Sequence, residues 1–366
     1  MAGSIFGNIF KISTWGESHG AAVGVTVDGC PAGVPLTEED IQVYLNRRKP
    51  GQSAYTTTRK EDDTVEILSG VFEGKTTGTP ISMIVRNTSQ RSGDYGNIAY
   101  TYRPGHADYC FDEKYGFRDY RGGGRSSGRE TIGRVAAGAI ALKILKEMNI
   151  TVDAYTVSIG DISIDRERFN LEESRNNPVC MPDGKAAKAA GEYLDGLKAE
   201  CDSAGGKVEC VVNGVPAGIG EPVFDKLDAL LAHGIMSIGA VKAVEIGEGT
   251  GASLLKGSEN NDNFYMDGGK VATKTNHAGG ILGGISNGQK IVLTATFKPT
   301  PSIFKEQSTI DKDKNEVVMS IKGRHDPVVV PRAVVVVEAM TAIVILDLLL
   351  MSVTNDINKI KKILND

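Results

Sequence analysis

The sequence predicts an α+β fold, in which layers of sheet and helix carry an internal pseudo-twofold repeat. One observation is a segment that occurs twice, VDGCPAGV at residues 27–34 and VNGVPAGI at residues 212–219. Another is a glycine spacing that recurs. Its members are Gly70, Gly74 and Gly78 in the first copy and Gly280, Gly284 and Gly288 in the second. Because each repeated segment follows an apolar run and precedes a helical pattern, a duplicated strand–turn–helix unit in packed layers is expected.

A third match follows in the same order along the chain. Gly124-Arg125, with Arg134 downstream, resembles Gly323-Arg324 with Arg332. Chance similarity among 44 glycines is the alternative, but three matches in one order favour a duplication. We expect one domain over residues 1–366, with two pseudo-symmetric halves divided near residues 190–205.

Three helices can be placed from capping and periodicity. The first is predicted to open at Thr37, because the acidic residues 38–40 follow it and stabilise a helix N-terminus. The second is predicted from about Val223, with one apolar face made by Phe224, Leu227, Leu230 and Leu231. A third is predicted from Glu130 to about Met148, behind a glycine-rich loop.

The most apolar stretch, Ala333 to Val353, predicts a buried strand or helix. It contains Glu338 and Asp347, which argue against a membrane span. The N-terminal residues lack the charged and apolar regions of a signal peptide. We therefore expect no membrane partner.

Composition narrows the class of protein. The 366 residues carry a net charge of −5, which argues against general nucleic-acid binding. Five cysteines show no CxxC spacing, so reduced thiols in a cytoplasmic protein are expected. No histidine has the spacing of a metal ligand, and no metal is predicted.

A local basic segment stands out against this acidic background. Six arginines and seven aromatic residues fall between Tyr100 and Arg134, around the run RGGGRSSGR at residues 121–129. Glycines allow a ligand to approach the backbone, and arginines bind carboxylate and phosphate through forked donors. The segment therefore predicts a site for a small ligand that is polyanionic at one end and planar at the other.

Two histidines lie in turns near this chemistry. His19 stands in GESHG, where a catalytic role and a turn-capping role are equally well supported. His106 stands in RPGHADY and suits general acid catalysis, although a bond to Asp108 is the alternative.

Three later motifs are weak individually. Gly283 in NHAGGILGG suits a close ligand approach or a packed bend, and Lys298, Thr300 and Ser302 in KPTPS suit a phosphate or an ordinary turn. Asp326 in GRHDP is expected by default in a salt-bridged turn.

Taken together, eight motifs resemble the chorismate synthase family in sequence and in order. They are GESHG, VDGCPAG, RRKPGQS, RPGHADY, RGGGRSSGRET, NHAGGILGGIS, KPTPS and GRHDP, and the match runs from Gly7 to about Leu349. The resemblance implies a β-α-β sandwich assembled as a homotetramer. It also implies a 1,4-anti elimination of phosphate from 5-enolpyruvylshikimate 3-phosphate, which gives chorismate. The reaction requires reduced FMN without net oxidation, so an external flavin-reducing system is expected, with NADPH only as a reductant.

The resemblance also implies roles for individual residues. His19 is the acid that assists phosphate departure, and His106 protonates the reduced flavin or stabilises its protonation state. Asp326 lies near the flavin N5, with Ser18 and Ser127 as relay groups. The substrate contacts are Arg48, Arg103, Arg129 and Arg324. The FMN contacts are Arg125, Ser126, Ser127, Gly239, Ala240, Gly283, Lys298, Pro299, Thr300, Pro301, Ser302 and Arg324.

The chain departs from the family pattern at three positions. Ala54 stands where many relatives have an arginine, Gly239 where asparagine is frequent, and Pro301 where serine is frequent. The first change puts in doubt one cationic contact of the substrate or nucleotide region. The other two each put in doubt a polar contact to FMN.

Two other classes of function compete with this interpretation. An anion- or RNA-binding module would use the arginine and aromatic segment, and would show salt-sensitive binding to polynucleotides. A flavin redox enzyme would need a nicotinamide site, for which the motifs leave little of the chain.

Overall fold

The computed structural model describes residues 3–51, 55–56, 61–88, 98–321 and 326–365. The strands are β1 (Ile5–Phe6), β2 (Lys11–Gly16), β3 (Ala22–Asp28), β4 (Val65–Ile67), β5 (Val71–Phe72), β6 (Lys75–Thr76), β7 (Ile81–Arg86), β8 (Thr151–Ile159), β9 (Ile162–Ser163), β10 (Gly206–Asn213), β11 (Val241–Ile246), β12 (Phe264–Asp267), β13 (Lys270–Thr273), β14 (Ile281–Leu282), β15 (Ile285–Ser286), β16 (Ile291–Phe297), β17 (Glu306–Ile310) and β18 (Glu316–Ser320). The helices are α1 (Glu38–Arg48), α2 (Asp108–Tyr115), α3 (Thr131–Glu147), α4 (Leu171–Asn176), α5 (Gly184–Ala199), α6 (Leu227–Met236), α7 (Gly257–Asn260), α8 (Val330–Met351) and α9 (Ile357–Asn365).

Two antiparallel five-stranded sheets form the outer layers. One has the order β1-β2-β3-β7-β4 and the other the order β9-β8-β10-β16-β11. Without the short edge strands β1 and β9, the two orders correspond strand for strand. Helix α1 follows β3 as α6 follows β10, and α3 follows β7 as α8 follows β16. The predicted α+β sandwich with an internal pseudo-twofold repeat is confirmed.

The repeat extends to individual hydrogen bonds. Thr76 Oγ1 donates to Pro31 O at 2.6 Å, and Ser286 Oγ donates to Pro216 O at the same distance. Each hydroxyl also accepts a backbone N–H at 2.9 Å, from Val34 in one half and from the matching isoleucine in the other. The repeated PAG segment is therefore anchored in the same way by each β-hairpin.

Helices α3 and α8 pack against each other in the middle layer. α3 contacts β2 and β3, while α8 contacts β8 and β10. They approach so closely that a Cβ atom added to Gly138 would lie 2.3 Å from the Cβ of Ala339. Small residues at this crossing explain why the predicted helix carries so many alanines and glycines.

The apolar stretch near the C-terminus is the buried helix α8, as predicted. In the described part of the chain, Val330–Thr354 is the one segment long and apolar enough to span a membrane, and 83% of its most apolar window is buried inside the protein. Its two acidic residues are paired. Glu338 accepts two hydrogen bonds from Arg47, and Asp347 accepts the backbone N–H groups of Ile9 and Phe10.

Two of the three predicted helix starts are correct. Thr37 caps α1, and its backbone N–H donates to Asp40 Oδ2 at 2.9 Å. The start of α6 was predicted wrongly at about Val223, because the helix begins at Leu227. Val223 has a φ of +69°, and Phe224 is 88% exposed, so neither belongs to the buried helical face.

The division of the chain into halves near residues 190–205 stays a prediction, as does the single domain over residues 1–366. The second sheet takes its first strand, β8, from Thr151 onward.

Candidate active site

A cavity of about 1680 Å³ opens where four segments meet. These are the glycine-rich loop before α3, the turn before α2, the turn after α6 and the segment after β16. The predicted site residues that line it are Arg48, Arg103, His106, Arg125, Ser126, Ser127, Arg129, Gly239, Ala240, Lys298, Thr300, Pro301, Ser302 and Asp326. Segments far apart in sequence thus converge on one space, with contributions from both halves.

Four predicted site residues do not line this cavity: Ser18, His19, Pro299 and Gly283. Ser18 and His19 lie directly behind the glycine-rich loop. Arg324 and Ala54 lie outside the described residues.

Gly283 lies at the exposed tip of the β14–β15 hairpin. Its φ of +60° and that of Gly284, +87°, match Glu73 and Gly74 at the tip of the β5–β6 hairpin, with +48° and +72°. A two-residue hairpin turn with positive φ at both central positions accounts for this glycine. Its role as a cofactor contact stays a prediction.

The glycine-rich loop is fixed to β2 by Arg125. Its guanidinium donates to the carbonyls of Gly16 at 3.1 Å and Thr14 at 3.0 Å. Ser127 caps the next turn, since its Oγ accepts the backbone N–H of Arg129 at 3.3 Å. The loop therefore enters α3 in a fixed conformation.

Arg48 and Arg129 share one buried carboxylate. Asp63 forms a short ion pair with Arg48 Nη2 through Oδ2 and accepts from Arg129 Nη1 at 3.0 Å through Oδ1. Glu61 pairs with the same Nη1 atom of Arg129. Two cations that sequence reasoning assigned to substrate are therefore neutralised within the protein.

Arg103 is also paired. Its Nε and Nη2 atoms donate to the two carboxylate oxygens of Asp108, both at 2.7 Å. Burial alone would raise the pKa of Asp108, but the hydrogen bonds and charge of Arg103 outweigh it and lower that pKa. Arg103 also donates to the carbonyl of Gly122 at 3.0 Å, which ties the turn before α2 to the glycine-rich loop.

His19 is buried in the turn between β2 and β3. Asn87 fixes this turn by donating to the carbonyls of Glu17 at 2.9 Å and Gly20 at 2.8 Å. Ser18 Oγ lies 3.2 Å from His19 Nδ1. A Cβ added to Gly122 would lie 2.6 Å from the imidazole, so only glycine lets the loop lie against His19.

His106 bridges the two halves. Its Nδ1 lies 3.0 Å from Pro104 O, and its Nε2 lies 3.0 Å from Ser302 Oγ. Because a carbonyl can only accept, this network assigns the hydrogen to Nδ1 and leaves Nε2 to accept from the Ser302 hydroxyl. Burial, followed by the charge of Arg103, lowers the pKa of His106 to about 4. The imidazole is therefore neutral at pH 7.

The segment after β16 forms the opposite wall. Lys298 Nζ donates to Gly105 O at 2.7 Å, and the backbone N–H of Lys298 donates to Ala240 O at 2.9 Å. Burial, together with the charge of Lys242, lowers the pKa of Lys298. Thr300 lines the cavity, and its Oγ1 atom is buried without a hydrogen-bond partner among the described residues. A lysine and an unsatisfied hydroxyl beside Ser302 fit a phosphate-bearing ligand.

Asp326 lies at the cavity wall and is salt-bridged. Arg332 Nη1 donates to its Oδ2 at 2.6 Å, while Arg332 Nε donates to Arg48 O at 3.1 Å. The salt bridge expected by default within GRHDP would pair Asp326 with Arg324, which lies outside the described residues; the partner observed is Arg332 of α8, which also contacts the end of α1.

Sequence reasoning missed the residues that support the predicted site. Glu61, Asp63, Asn87 and Arg332 were not assigned a role. The first two lie in the charged run RKEDD at residues 59–63, a pattern that is typical of an ordinary solvated segment. Asn87 and Arg332 act through contacts that no local pattern marks.

Comparisons with known proteins agree on one family. Residues 10–350 match the family model described as chorismate synthase. Chorismate synthase of Lachnoclostridium phytofermentans is 63% identical over 364 residues, which cover 99% of each chain. That of Lachnospira eligens is 61% identical over 362 residues, again 99% of each chain. A crystal structure of chorismate synthase superimposes with a TM-score of 0.76 at 32% identity, over 98% of this chain and 96% of the other.

The fold and the converging cavity define an enzyme that acts on a small molecule, and the comparisons place it among the lyases. The chain belongs to the chorismate synthase family. The resemblance inferred from the eight motifs is thereby confirmed.

Proposed function

We propose that this protein converts 5-enolpyruvylshikimate 3-phosphate to chorismate and phosphate by a 1,4-anti elimination that needs reduced FMN without net redox change. The observation that carries this proposal is the convergence on one cavity of Arg48, Arg103, Arg129, Lys298, Thr300, Pro301 and Ser302. The substrate bears a phosphate and two carboxylates. A cavity that gathers forked and point-charge donors from both halves suits such a ligand.

The arginines Arg48, Arg103, Arg129 and Arg324 are proposed to bind the substrate. Each charge-assisted hydrogen bond contributes about 1.5–3 kcal/mol when it is well formed. Arg48 and Arg129 share Asp63 and therefore form a single unit, so the loss of one is expected to affect the other.

Reduced FMN is proposed to bind between the glycine-rich loop and the segment after β16. The proposed contacts are Arg125, Ser126, Ser127, Gly239, Ala240, Gly283, Lys298, Pro299, Thr300, Pro301, Ser302 and Arg324. The unsatisfied Thr300 hydroxyl supports this assignment, because a ligand phosphate would provide its missing partner. When bound, reduced FMN supplies an electron-rich ring system that assists the elimination and is regenerated.

His19 is proposed to deliver a proton to the departing phosphate. Ser18 Oγ, at 3.2 Å from Nδ1, restrains the imidazole. Of the two roles considered for His106, stabilising a protonation state suits a neutral imidazole better than donating a proton. Asp326 is proposed as a catalytic residue beside the cofactor, held by Arg332, with Ser127 as a relay group.

We further propose a cytoplasmic homotetramer that relies on an external flavin-reducing system, with NADPH serving only as a reductant. The five cysteines without CxxC spacing support the cytoplasmic assignment, and the resemblance to the family supports the homotetramer and the external reduction of FMN.

The test is an anaerobic assay with purified protein, 5-enolpyruvylshikimate 3-phosphate and chemically reduced FMN. Phosphate release and chorismate formation are measured together, with oxidised FMN as the control. Turnover is expected with reduced FMN and not with oxidised FMN.

Other outcomes separate the alternatives. No turnover in a folded protein that binds FMN would direct attention to Ala54, Gly239 and Pro301. No turnover and no flavin binding would contradict the proposal and favour the anion-binding module, which salt-sensitive RNA binding would then support.

A further inference from the structure

Every proposed substrate arginine in the described part of the chain has a carboxylate partner. Arg48 pairs with Asp63, Arg103 with Asp108, and Arg129 with both Glu61 and Asp63. The site is therefore compensated for charge before any anionic ligand binds. An uncompensated buried guanidinium destabilises a fold, so these carboxylates stabilise the ligand-free protein.

The three carboxylates differ in where they lie. Glu61 lines the cavity together with Arg129, whereas neither Asp63 nor Asp108 does. The side chain of Asp63 has no exposed surface at all. Of these three carboxylates, only Glu61 therefore faces the same cavity as the arginine with which it pairs.

Asp63 is also fixed by the helix behind it. Gln42 on α1 donates to the carbonyl of Asp63 at 3.3 Å, and its own amide oxygen accepts the backbone N–H of Val65 at 3.1 Å. With one oxygen on Arg48 and the other on Arg129, Asp63 sets the separation of the two guanidiniums. Asp63 is therefore held through its carboxylate by both arginines and through its backbone by α1.

We propose that Glu61 is an internal counter-ion of the substrate site, which an incoming anionic group displaces from Arg129, while Asp63 remains as the positioning residue for both arginines. This inference rests on the proposed function, because it takes the displacing group to be a phosphate or carboxylate of the substrate. The chemistry is an exchange of one carboxylate for another oxyanion on the same guanidinium, with no covalent step.

The exchange lowers the affinity of the site for every anion, and it increases the discrimination between polyanionic ligands and simple anions. A ligand must replace the ion pair that Arg129 already makes with Glu61, so a weakly charged anion gains little. A ligand with several anionic groups can also use Arg103 and Lys298, and these additional contacts offset the loss. The site would thus favour polyanions over the inorganic anions of the surrounding solution.

The test measures the binding of inorganic phosphate by calorimetry, to wild type and to Glu61→Gln. Removing the competing charge is expected to lower the Kd for phosphate roughly 3- to 10-fold. Glu66→Gln is the matched control, because Glu66 makes the same kind of pair with Arg86, at 3.0 Å, on an exposed surface. Its phosphate affinity should stay within about twofold of wild type.

The opposite result overturns the inference. If Glu61 positions Arg129 instead of competing for it, Glu61→Gln will bind phosphate as weakly as wild type or more weakly. Asp63→Asn should bind phosphate more weakly, because it releases two arginines. Glu61→Ala removes the carboxylate by a different truncation and covers the case in which the glutamine variant does not fold. If no folded Glu61 variant binds phosphate more tightly, the inference fails.

This experiment is independent of turnover. If the Glu61 variants bind phosphate more tightly but wild type forms no chorismate, the counter-ion role of Glu61 is supported and the proposed reaction is contradicted. If wild type forms chorismate but the Glu61 variants bind phosphate as wild type does, the proposed reaction is supported and the counter-ion role is contradicted.

Discussion

The two halves of this molecule share a frame of strands and helices but differ in the connection between their first two corresponding strands. In the first half, a five-residue turn between β2 and β3 carries His19. In the second half, the corresponding strands β8 and β10 are separated by β9, α4 and α5. The duplicated strands and helices therefore form the same rigid frame in each half, whereas the proposed catalytic residue His19 lies on a turn that is present in only one half.

The helix ends show the same contrast. α1 ends at Arg48, a buried cation in the site, while the matching helix α6 ends at Met236 and Ser237. Yet both ends are held by an arginine from the other half. Arg332 donates to Arg48 O at 3.1 Å, and Arg134 donates to Ser237 O at 3.2 Å. Equivalent arginines therefore hold the two helix ends in the same way, although only one of these ends places a buried cation in the site.

The largest expected effect comes from removing the histidine of the short turn. His19→Ala should reduce turnover by about 10²–10⁴-fold, because loss of a general acid typically costs this much. The fold should persist, since Asn87 fixes the turn through backbone carbonyls. The rate of anaerobic phosphate release measures the effect.

His277→Ala is the matched control in the second half. His277 contacts Asn260 O at 3.2 Å and does not line the cavity. Equal losses in both variants would show that the two histidines are supports of the fold, and near-wild-type activity of His19→Ala would remove it from the mechanism.

The next effect tests whether Arg129, in the first half, contacts the substrate and not the cofactor. Arg129→Ala should weaken substrate binding by roughly 10- to 100-fold, the range of one charge-assisted hydrogen bond. FMN affinity should change much less, because Lys298 and Thr300 come from the second half. Calorimetric titrations of the two ligands give the comparison. Equal losses for both would contradict the assignment of Arg129 to substrate.

The frame was predictable because repetition and burial leave marks along the chain. The PAG segments and glycine triplets indicated the duplication, since the same turns need the same residues. Val223 and Phe224 misled the periodicity argument, because apolar residues on an exposed loop look like the first turn of a helix.

The site was predictable only as a set of motifs. Arginines and histidines could be named, but their distances could not, because the cavity joins segments that are hundreds of residues apart. His106 and Ser302 illustrate this, as they meet at 3.0 Å across 196 positions. The counter-ions were missed for the related reason that Glu61 and Asp63 look like ordinary surface charges until their burial is known.

The crossing of α3 and α8 joins the two halves and can be tested through stability. Gly138→Ala should destabilise the fold by about 1–3 kcal/mol, because the added methyl would overlap Ala339. Gly196→Ala on α5 is the matched control, since a Cβ added there would have no atom within 4 Å among the described residues. That change should be neutral or stabilising by up to about 1 kcal/mol. Urea unfolding measures both, and equal effects would mean that the crossing is not tightly packed.

The repeated hairpin anchors offer a comparison within one molecule. Thr76→Val and Ser286→Ala each remove a buried hydroxyl that donates to a proline carbonyl. Each should cost about 1–2 kcal/mol, because a backbone N–H also loses its acceptor. Thermal unfolding of the two variants should give similar shifts in Tm. A large shift in only one would show that the halves are equivalent in geometry but not in stability.

The smallest effect concerns pH and His106, a histidine that joins the halves. Burial and Arg103 lower the pKa of His106 to about 4, whereas an unfolded histidine titrates near 6.5. Between these values the unfolded chain binds more protons, so the free energy of unfolding should fall as pH drops from 6.5 towards 4. The slope from this residue is at most about 1.4 kcal/mol per pH unit, and smaller because the side chain is only partly buried.

His106→Gln should flatten this decline in the free energy of unfolding, measured by urea unfolding at about pH 4.5 and pH 7. Ser302→Ala should show the same decline as wild type, because that variant leaves both causes of the lowered pKa of His106 in place. Identical pH dependence in wild type and His106→Gln would show that His106 titrates alike in the folded and unfolded states.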